Sequence, residues 1–179
     1  MKQYAVLTAV GSDRPGLVDA ISKFILDNGC NIDDSRMAVL GGEFAMLLLV
    51  DGAPEAVERV LNGTATASQA SGLSVQCHRT RAPGESAQRG TIPYRLDAYS
   101  MDHPGIVQRL ARYLAERKIN IRALDTRLTH APVTGLPLFS LHAIVDVPSQ
   151  ENVMDLRKSL EAIGAEQNID VVIKPDVGT

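Results

Sequence analysis

Residues 5–35, AVLTAVGSDRPGLVDAISKFILDNGCNIDDS, decide the fold because the chain repeats them. Residues 94–124, YRLDAYSMDHPGIVQRLARYLAERKINIRAL, align with this stretch without a gap. The alignment places Asp13 on Asp102 and Asn31 on Asn120, and the apolar positions between them also match. One matched turn could arise by chance. A matched turn, matched apolar positions after it and a matched Asn-Ile pair at the end together indicate an internal duplication of one small module.

Each copy begins with a strand-like segment that ends at a turn and leads into a helix. Pro15 and Pro104 suit the first helical position, where the missing N–H is not needed. The apolar residues that follow recur at i, i+1, i+4, i+7 and i+8, which defines one face of a helix. In the first copy, Asn28-Gly29 is a typical helix stop.

The rest of each copy is predicted as a strand hairpin, a second helix and a final strand. In the first copy, Asn62-Gly63 weakens the second helix, and in the second copy Ser149 is the predicted helix N-cap. The predicted segments are the strands 3–10, 32–40, 44–50 and 73–78 in the first copy, and the strands 121–129, 138–147 and 169–174 in the second.

The order βαββαβ, repeated twice, predicts an α+β protein with two ferredoxin-like domains. Each domain is expected to be a four-stranded antiparallel sheet with two helices on one face. The predicted domains are residues 1–78 and 94–179, joined by a linker rich in Gly, Pro, Ser and charge at 79–93. Exposed sheet edges favour pairing of the two copies or a homodimer.

Composition excludes several classes of function. The net charge is −3, with 18 Lys and Arg against 21 Asp and Glu, and 4% of residues are aromatic, so direct nucleic-acid binding is disfavoured. No apolar run approaches the roughly 20 residues of a membrane span, and the N-terminus shows no secretory signal. The distant cysteines Cys30 and Cys77 indicate packed thiols in a reducing cytoplasm.

Catalytic motifs and cofactor motifs are not evident in the sequence. The four histidines lack metal-ligand spacing, and no Gly-rich phosphate loop or dinucleotide fingerprint occurs. We therefore expect no metal, no cofactor and no enzymatic activity.

The two D-x-P-G loops carry the best candidate chemistry. Each leads to a helix N-terminus, whose free N–H groups attract a carboxylate. Asp13 and Asp102 can hold an ammonium group, so each loop suits an α-amino acid. The simpler alternative is that each aspartate caps its own helix. Asn31 and Asn120 are either turn residues or amides that face a ligand.

The V-x-S-D-R-P-G-L-V start, the helix and the C-N-I exit resemble the ACT domain, a small-molecule sensing module with the ferredoxin-like fold. Two such modules in one chain resemble the glycine cleavage system transcriptional repressor group. The resemblance implies amino-acid sites at the interface of paired modules, built from the loop after the first strand and the start of the second strand. The implied residues are Gly11, Ser12, Asp13, Arg14, Gly16, Leu17, Asn31 and Ile32, with Ser100, Met101, Asp102, His103, Gly105, Ile106, Asn120 and Ile121.

This resemblance favours an amino-acid-responsive transcriptional regulator, with glycine as ligand, that acts through a protein partner such as a DNA-binding activator. The alternative is a regulatory subunit of an enzyme of amino-acid metabolism. The D-R-P-G-L-V start also resembles the N-terminal sensor of formyltetrahydrofolate deformylase, but that enzyme needs a catalytic domain for which two sensor modules leave no room.

The copies differ most at Arg14 against His103 and at the longer loop 130–137. We expect function to have diverged at these positions. The loop is a candidate partner-contact site, or else a tolerated insertion at a hairpin tip.

Overall fold

A computed structural model of the protein describes residues 2–84, 90–132 and 134–176. The chain divides into two compact units, Met1–Ala87 and Gln88–Thr179, which we call the first and second module. None of the described helices is long and apolar enough to cross a bilayer.

The first module is a four-stranded antiparallel sheet with strand order β2-β3-β1-β4 and three helices. Its elements are β1 (Gln3–Ser12), α1 (Leu17–Asp27), β2 (Cys30–Leu40), β3 (Glu43–Gly52), α2 (Pro54–Asn62), α3 (Thr64–Ser71) and β4 (Ser74–Thr80).

The second module repeats this topology with strand order β6-β7-β5-β8. Its elements are β5 (Thr91–Met101), α4 (Ile106–Glu116), β6 (Asn120–His130), β7 (Pro137–Pro148), α5 (Val153–Gln167) and β8 (Ile169–Pro175). The predicted α+β fold with two ferredoxin-like domains is confirmed.

Alternation along the central strands explains why the helices cover one face of each sheet. In β1, Ala5, Leu7 and Ala9 are fully buried, while the residues between them face away from the helices. The apolar stripe of α1 closes over this face with Leu17, Ile21 and Ile25. We call the opposite side of each sheet the open face. It carries the cross-strand pair Thr8–Leu47 in the first module and Asp97–His142 in the second.

The second helical segment breaks at its predicted weak point in the first module and begins later than predicted in the second. In the first module it divides at Gly63 into α2 and α3, and a Cβ at this glycine would lie 2.9 Å from the Phe24 ring and 2.9 Å from the Arg59 carbonyl oxygen. In the second module the predicted N-cap Ser149 was wrong. Asn152 caps α5 instead, because its side-chain oxygen accepts hydrogen bonds from the N–H groups of Met154 and Asp155.

The strands extend further than predicted at the junction between the modules. Residues 79–80 continue β4 and residues 91–93 open β5, so the predicted linker 79–93 contributes strand at both ends. The domain boundaries at 78 and 94 stay a prediction.

Both modules leave one edge strand largely uncovered by helices. In β2 and β6 nearly every residue after the first two is exposed, including Met37, Val39 and Leu128. Such strands offer free backbone groups and apolar side chains to another chain segment. A β-bulge also occurs at the same point of both strands, after Ile32 and after Ile121.

Both cysteines are free thiols, and Cys30 is buried. Burial raises the pKa of the Cys77 thiol to about 11, and burial also raises the pKa of Cys30 above its ordinary value. The reactive thiolate is therefore scarce near neutral pH.

We expect the native protein to react with a thiol reagent such as DTNB at pH 7.5 on the order of a hundredfold more slowly than the urea-unfolded chain, whose thiols regain ordinary pKa values. Stopped-flow absorbance measures both rates. Labelling of the native protein at the unfolded rate would contradict packed thiols.

Candidate functional site

The D-x-P-G loops have the same backbone course in both modules. The Asp13 N–H donates to the Gly42 carbonyl at 3.0 Å, and the Asp102 N–H donates to the Pro137 carbonyl at 3.1 Å. These bonds tie each loop to the hairpin end of its own sheet. The following glycines, Gly16 and Gly105, are left-handed with φ of 92° and 98°, a conformation that favours glycine.

These glycines, not the prolines, set the start of the first helix. Gly16 and Gly105 are the N-cap residues, and the helices begin at Leu17 and Ile106. The predicted placement of the two prolines at the first helical position was therefore wrong, because the left-handed glycine separates proline from helix. No side chain caps either N-terminus. The N–H groups of the first turn thus remain available to an anion.

The loop aspartates are exposed and unengaged. Within the ranges that the structure describes, the side chains of Asp13 and Asp102 make no hydrogen bond or ion pair. The alternative that each aspartate caps its own helix is wrong. Each loop thus presents a free carboxylate beside an uncapped helix N-terminus.

The diverged residues Arg14 and His103 make equivalent contacts inside their own modules. The Arg14 guanidinium donates to the carbonyl of Ser71, the last residue of α3, at 2.6 Å. His103 Nε2 lies 3.2 Å from the carbonyl oxygen of Gln167, the last residue of α5. Both side chains therefore satisfy a helix C-terminus, where the helix dipole favours positive charge. The contact is shared although the residue differs, and functional divergence at this position stays a prediction.

Asn31 and Asn120 lie at the opposite end of the sheet from the loop of the same module. In strand register, Asn31 is beside Asp51, which is beside Tyr4 at the start of β1. The D-R-P-G loop follows Ser12 at the other end of β1, about 26 Å away at the rise of a strand. The second module has the same arrangement, with Asn120 beside Asp146. One module therefore does not bring its loop and its asparagine together.

The remaining predicted residues divide between these two ends. Ile32 and Ile121 follow the asparagines and are partly buried, while Gly11, Ser12, Ser100 and Met101 end the central strands beside the loops. A Cβ on Gly11 would lie 2.9 Å from the Leu73 side chain, so glycine allows close packing there. At the equivalent position, the buried Ser100 hydroxyl makes no hydrogen bond with any part of the chain that the structure describes.

Cavities lie at different ends of the two modules. In the first, a cavity of about 460 Å³ between α1 and the start of β2 is lined by Asn31 and Ile32. In the second, a cavity of about 480 Å³ at the loop end is lined by Ser100 and Met101.

Sequence reasoning missed two buried aspartates beside the asparagines. Asp51 forms an ion pair with Lys2, and Asp146 with Arg122, so each buried carboxylate has a cation above it. Lys2 lies just before β1, whereas Arg122 lies in β6. The carboxylate is therefore paired in both modules, although the cation comes from a different part of the module. The available signal was that an aspartate ends the apolar third strand in both copies, at LLLVD and AIVD.

Other polar groups do not assemble a metal site. Among the described residues, no group of three or more His, Cys, Asp and Glu side chains could hold a metal ion. His142, predicted as a packed or surface residue, lies on the open face with Nδ1 2.8 Å from the buried Asp97 carboxylate. Arg95 and Lys174 flank the same carboxylate at 3.5 and 3.6 Å.

The family model of the ACT domain matches residues 3–78, the strands and helices of the first module. The second module repeats its topology, its loop geometry and its bulge. The first module is therefore similar to an ACT domain, and the second module is a repeat of the same fold. The chain is similar to the glycine cleavage system transcriptional repressor of Escherichia coli K12, which confirms the predicted resemblance. That protein is 26% identical over 167 residues, which cover 93% of this chain and 87% of the relative.

Solved structures show the same two-module arrangement of elements. A protein of unknown function from Galdieria sulphuraria is 27% identical, with a TM-score of 0.82 over 99% of this chain and 100% of that one. A protein provisionally described as a glycine cleavage system transcriptional repressor is 26% identical, with a TM-score of 0.70 over 97% of both chains. The order of strands and helices is thus shared with these structures over almost the whole chain.

Replacement of Arg14 by Met is expected to lower the free energy of unfolding of the first module by about 1 kcal/mol, because the Ser71 carbonyl loses a charge-assisted hydrogen bond at the helix end. The control, Lys23→Met, removes an exposed ion pair with Asp27 and should cost clearly less. Urea unfolding followed by circular dichroism measures both. Equal losses in the two variants would contradict the capping role of Arg14.

Proposed function

We propose that this chain is an amino-acid-responsive regulator of transcription, with glycine as its ligand, that acts through a protein partner. Its similarity to the E. coli repressor over 93% of the chain supports a regulatory role. The observation that supports an amino-acid ligand is the repeated loop, in which a free carboxylate lies beside an uncapped helix N-terminus.

The loop chemistry matches both charges of an α-amino acid. The ligand carboxylate accepts hydrogen bonds from the first N–H groups of α1 or α4, where the helix dipole adds to the attraction. The ligand ammonium group pairs with Asp13 or Asp102. Nothing lies within 4 Å of a Cβ built at Gly16 or Gly105, so the space beside these glycines is open to a ligand.

The end of the sheet that carries Asn31 or Asn120 supplies the second half of a complete site. Because Asn31 and its own loop lie about 26 Å apart, a ligand that contacts both kinds of residue needs two modules. This supports binding at a module interface, where Asn31, Ile32, Asn120 and Ile121 add amide and apolar contacts to the loop residues.

A protein partner fits the charge of the chain better than DNA does. The formal charge of −3 opposes association with a phosphate backbone. A partner that contacts the DNA would allow a chain with this charge to regulate transcription. Exposed strand edges in β2 and β6 offer surface for such association.

Glycine titrated into the full chain should give saturable heat, and Asp13→Asn and Asp102→Asn should each weaken its site by about tenfold or more, because a charge-assisted bond to the ammonium group is lost. Isothermal titration calorimetry makes the measurement, with alanine and serine for comparison. Glu55→Gln and Glu161→Gln change the charge equally on exposed helix surfaces and serve as controls. Absence of heat with all three amino acids, or unchanged heat in both Asp variants, would remove the ligand assignment.

The tagged full chain, cross-linked in its source cells and purified, should carry a DNA-binding transcription regulator identifiable by mass spectrometry. The purified chain alone should leave DNA fragments unshifted in a gel, because its acidic surface gains nothing from counterion release. Stoichiometric capture of an enzyme of amino-acid metabolism, or a DNA shift by the chain alone, would contradict the proposed mode of action.

A further inference from the structure

The hairpin end of the open face differs in chemistry between the two modules. In the first module, Ser12 and Glu43 are partners in register, and the Ser12 hydroxyl donates to the Glu43 carboxylate at 3.3 Å. In the second module the same register positions hold Met101 and Leu138, which are 56% and 39% exposed. A polar cross-strand pair has thus become an apolar one at the same place in the fold.

The cavity of about 480 Å³ opens beside this apolar pair. Its volume lies within the range of about 300–1,000 Å³ that ligand pockets occupy. Tyr99 and Phe139 add aromatic walls, while Thr129, Ser140 and Asp170 supply polar groups. An exposed apolar lining with a polar margin is the usual composition of a place where a protein partner anchors a side chain.

The charged side chain that lines this cavity is acidic, and Arg127, the register partner of Ser140, lies on the neighbouring strand without lining it. Asp170 lines the cavity, and Asp102 follows Met101 and is anchored to Pro137, next to Leu138. Within residues 2–84, 90–132 and 134–176, neither carboxylate has a cationic partner, and no Lys or Arg lines the cavity. Complementarity therefore calls for a positively charged occupant.

We propose that this cavity anchors a large apolar side chain of a protein partner, flanked in the partner by Lys or Arg. The proposal rests on the proposed function, since it names the surface through which a regulator would contact its partner. The first module has the Ser12–Glu43 pair at this position, so each chain offers one anchor.

The probe is the peptide acetyl-Lys-Phe-Lys-amide, added to the isotope-labelled full chain and followed by NMR. We expect saturable shifts confined to residues around the cavity, with Tyr99, Leu138 and Asp170 among them. The peptides acetyl-Glu-Phe-Glu-amide and acetyl-Lys-Ser-Lys-amide reverse the charge or remove the anchor, and each should bind at least tenfold more weakly. Equal binding of all three peptides, or shifts centred elsewhere, would overturn the proposal.

Two variants separate the apolar and the electrostatic contributions. Leu138→Ser should weaken the Lys-Phe-Lys peptide on the order of tenfold through loss of apolar contact, and Asp170→Asn should weaken it and reduce its salt dependence. Leu47→Ser removes a similarly exposed leucine, 47% exposed, from the open face of the first module and should leave the affinity unchanged. An effect of Leu47→Ser equal to that of Leu138→Ser would overturn the site.

The peptide result and the amino-acid result can be told apart although Asp102 and Met101 belong to both proposed sites. A chain that binds glycine at its loops but not the Lys-Phe-Lys peptide refutes the anchor and leaves the proposed function standing. A chain that binds the peptide at the cavity but no amino acid refutes the ligand assignment and keeps the anchor.

Discussion

Burial of alternate residues on one central strand organises each module. Ala5, Leu7 and Ala9 are buried in β1, and Leu96 and Ala98 are buried in β5. Because side chains alternate along a strand, a shift of one residue would expose this whole set, so the register with both neighbouring strands is strongly specified. That register places the D-x-P-G loop at one end of the sheet and the asparagine of the second strand at the other. It also separates a face that must be conserved for packing from an open face that can change.

The open faces show how far the two copies have diverged without a change of fold. Thr8 and Leu47 meet on the open face of the first module, while the buried Asp97, paired with His142, takes the same place in the second. The Ser12–Glu43 and Met101–Leu138 pairs differ in the same way at the hairpin end. None of these changes disturbs the helix-covered core, since each side chain faces away from it. The copies are therefore alike where they pack and differ on the face that is turned away from the helices.

The sequence alone predicted the order of strands and helices along the chain and the loops between them, because the repeated apolar periods and the glycine turns are local signals. The predictions failed where distant groups decide the local structure. Proline was placed inside the helix because its φ suits that position, but the left-handed Gly16 ends the turn first. Asp51 and Asp146 were missed because their importance depends on cross-strand neighbours and on cations from elsewhere in the chain. The separation of Asn31 from its own loop likewise depends on the pairing of three strands.

Arg14 and His103 have a consequence for how such modules evolve. A helix-terminal carbonyl accepts a hydrogen bond from any donor that reaches it, so selection there acts on the position of an N–H group and tolerates a change of residue. The Lys2 and Arg122 ion pairs follow the same rule. Sequence identity between the two modules therefore understates how much of their bonding is shared. A related module is better recognised by whether a donor can reach the carbonyl at the end of its second helical segment than by whether arginine occupies the position of Arg14.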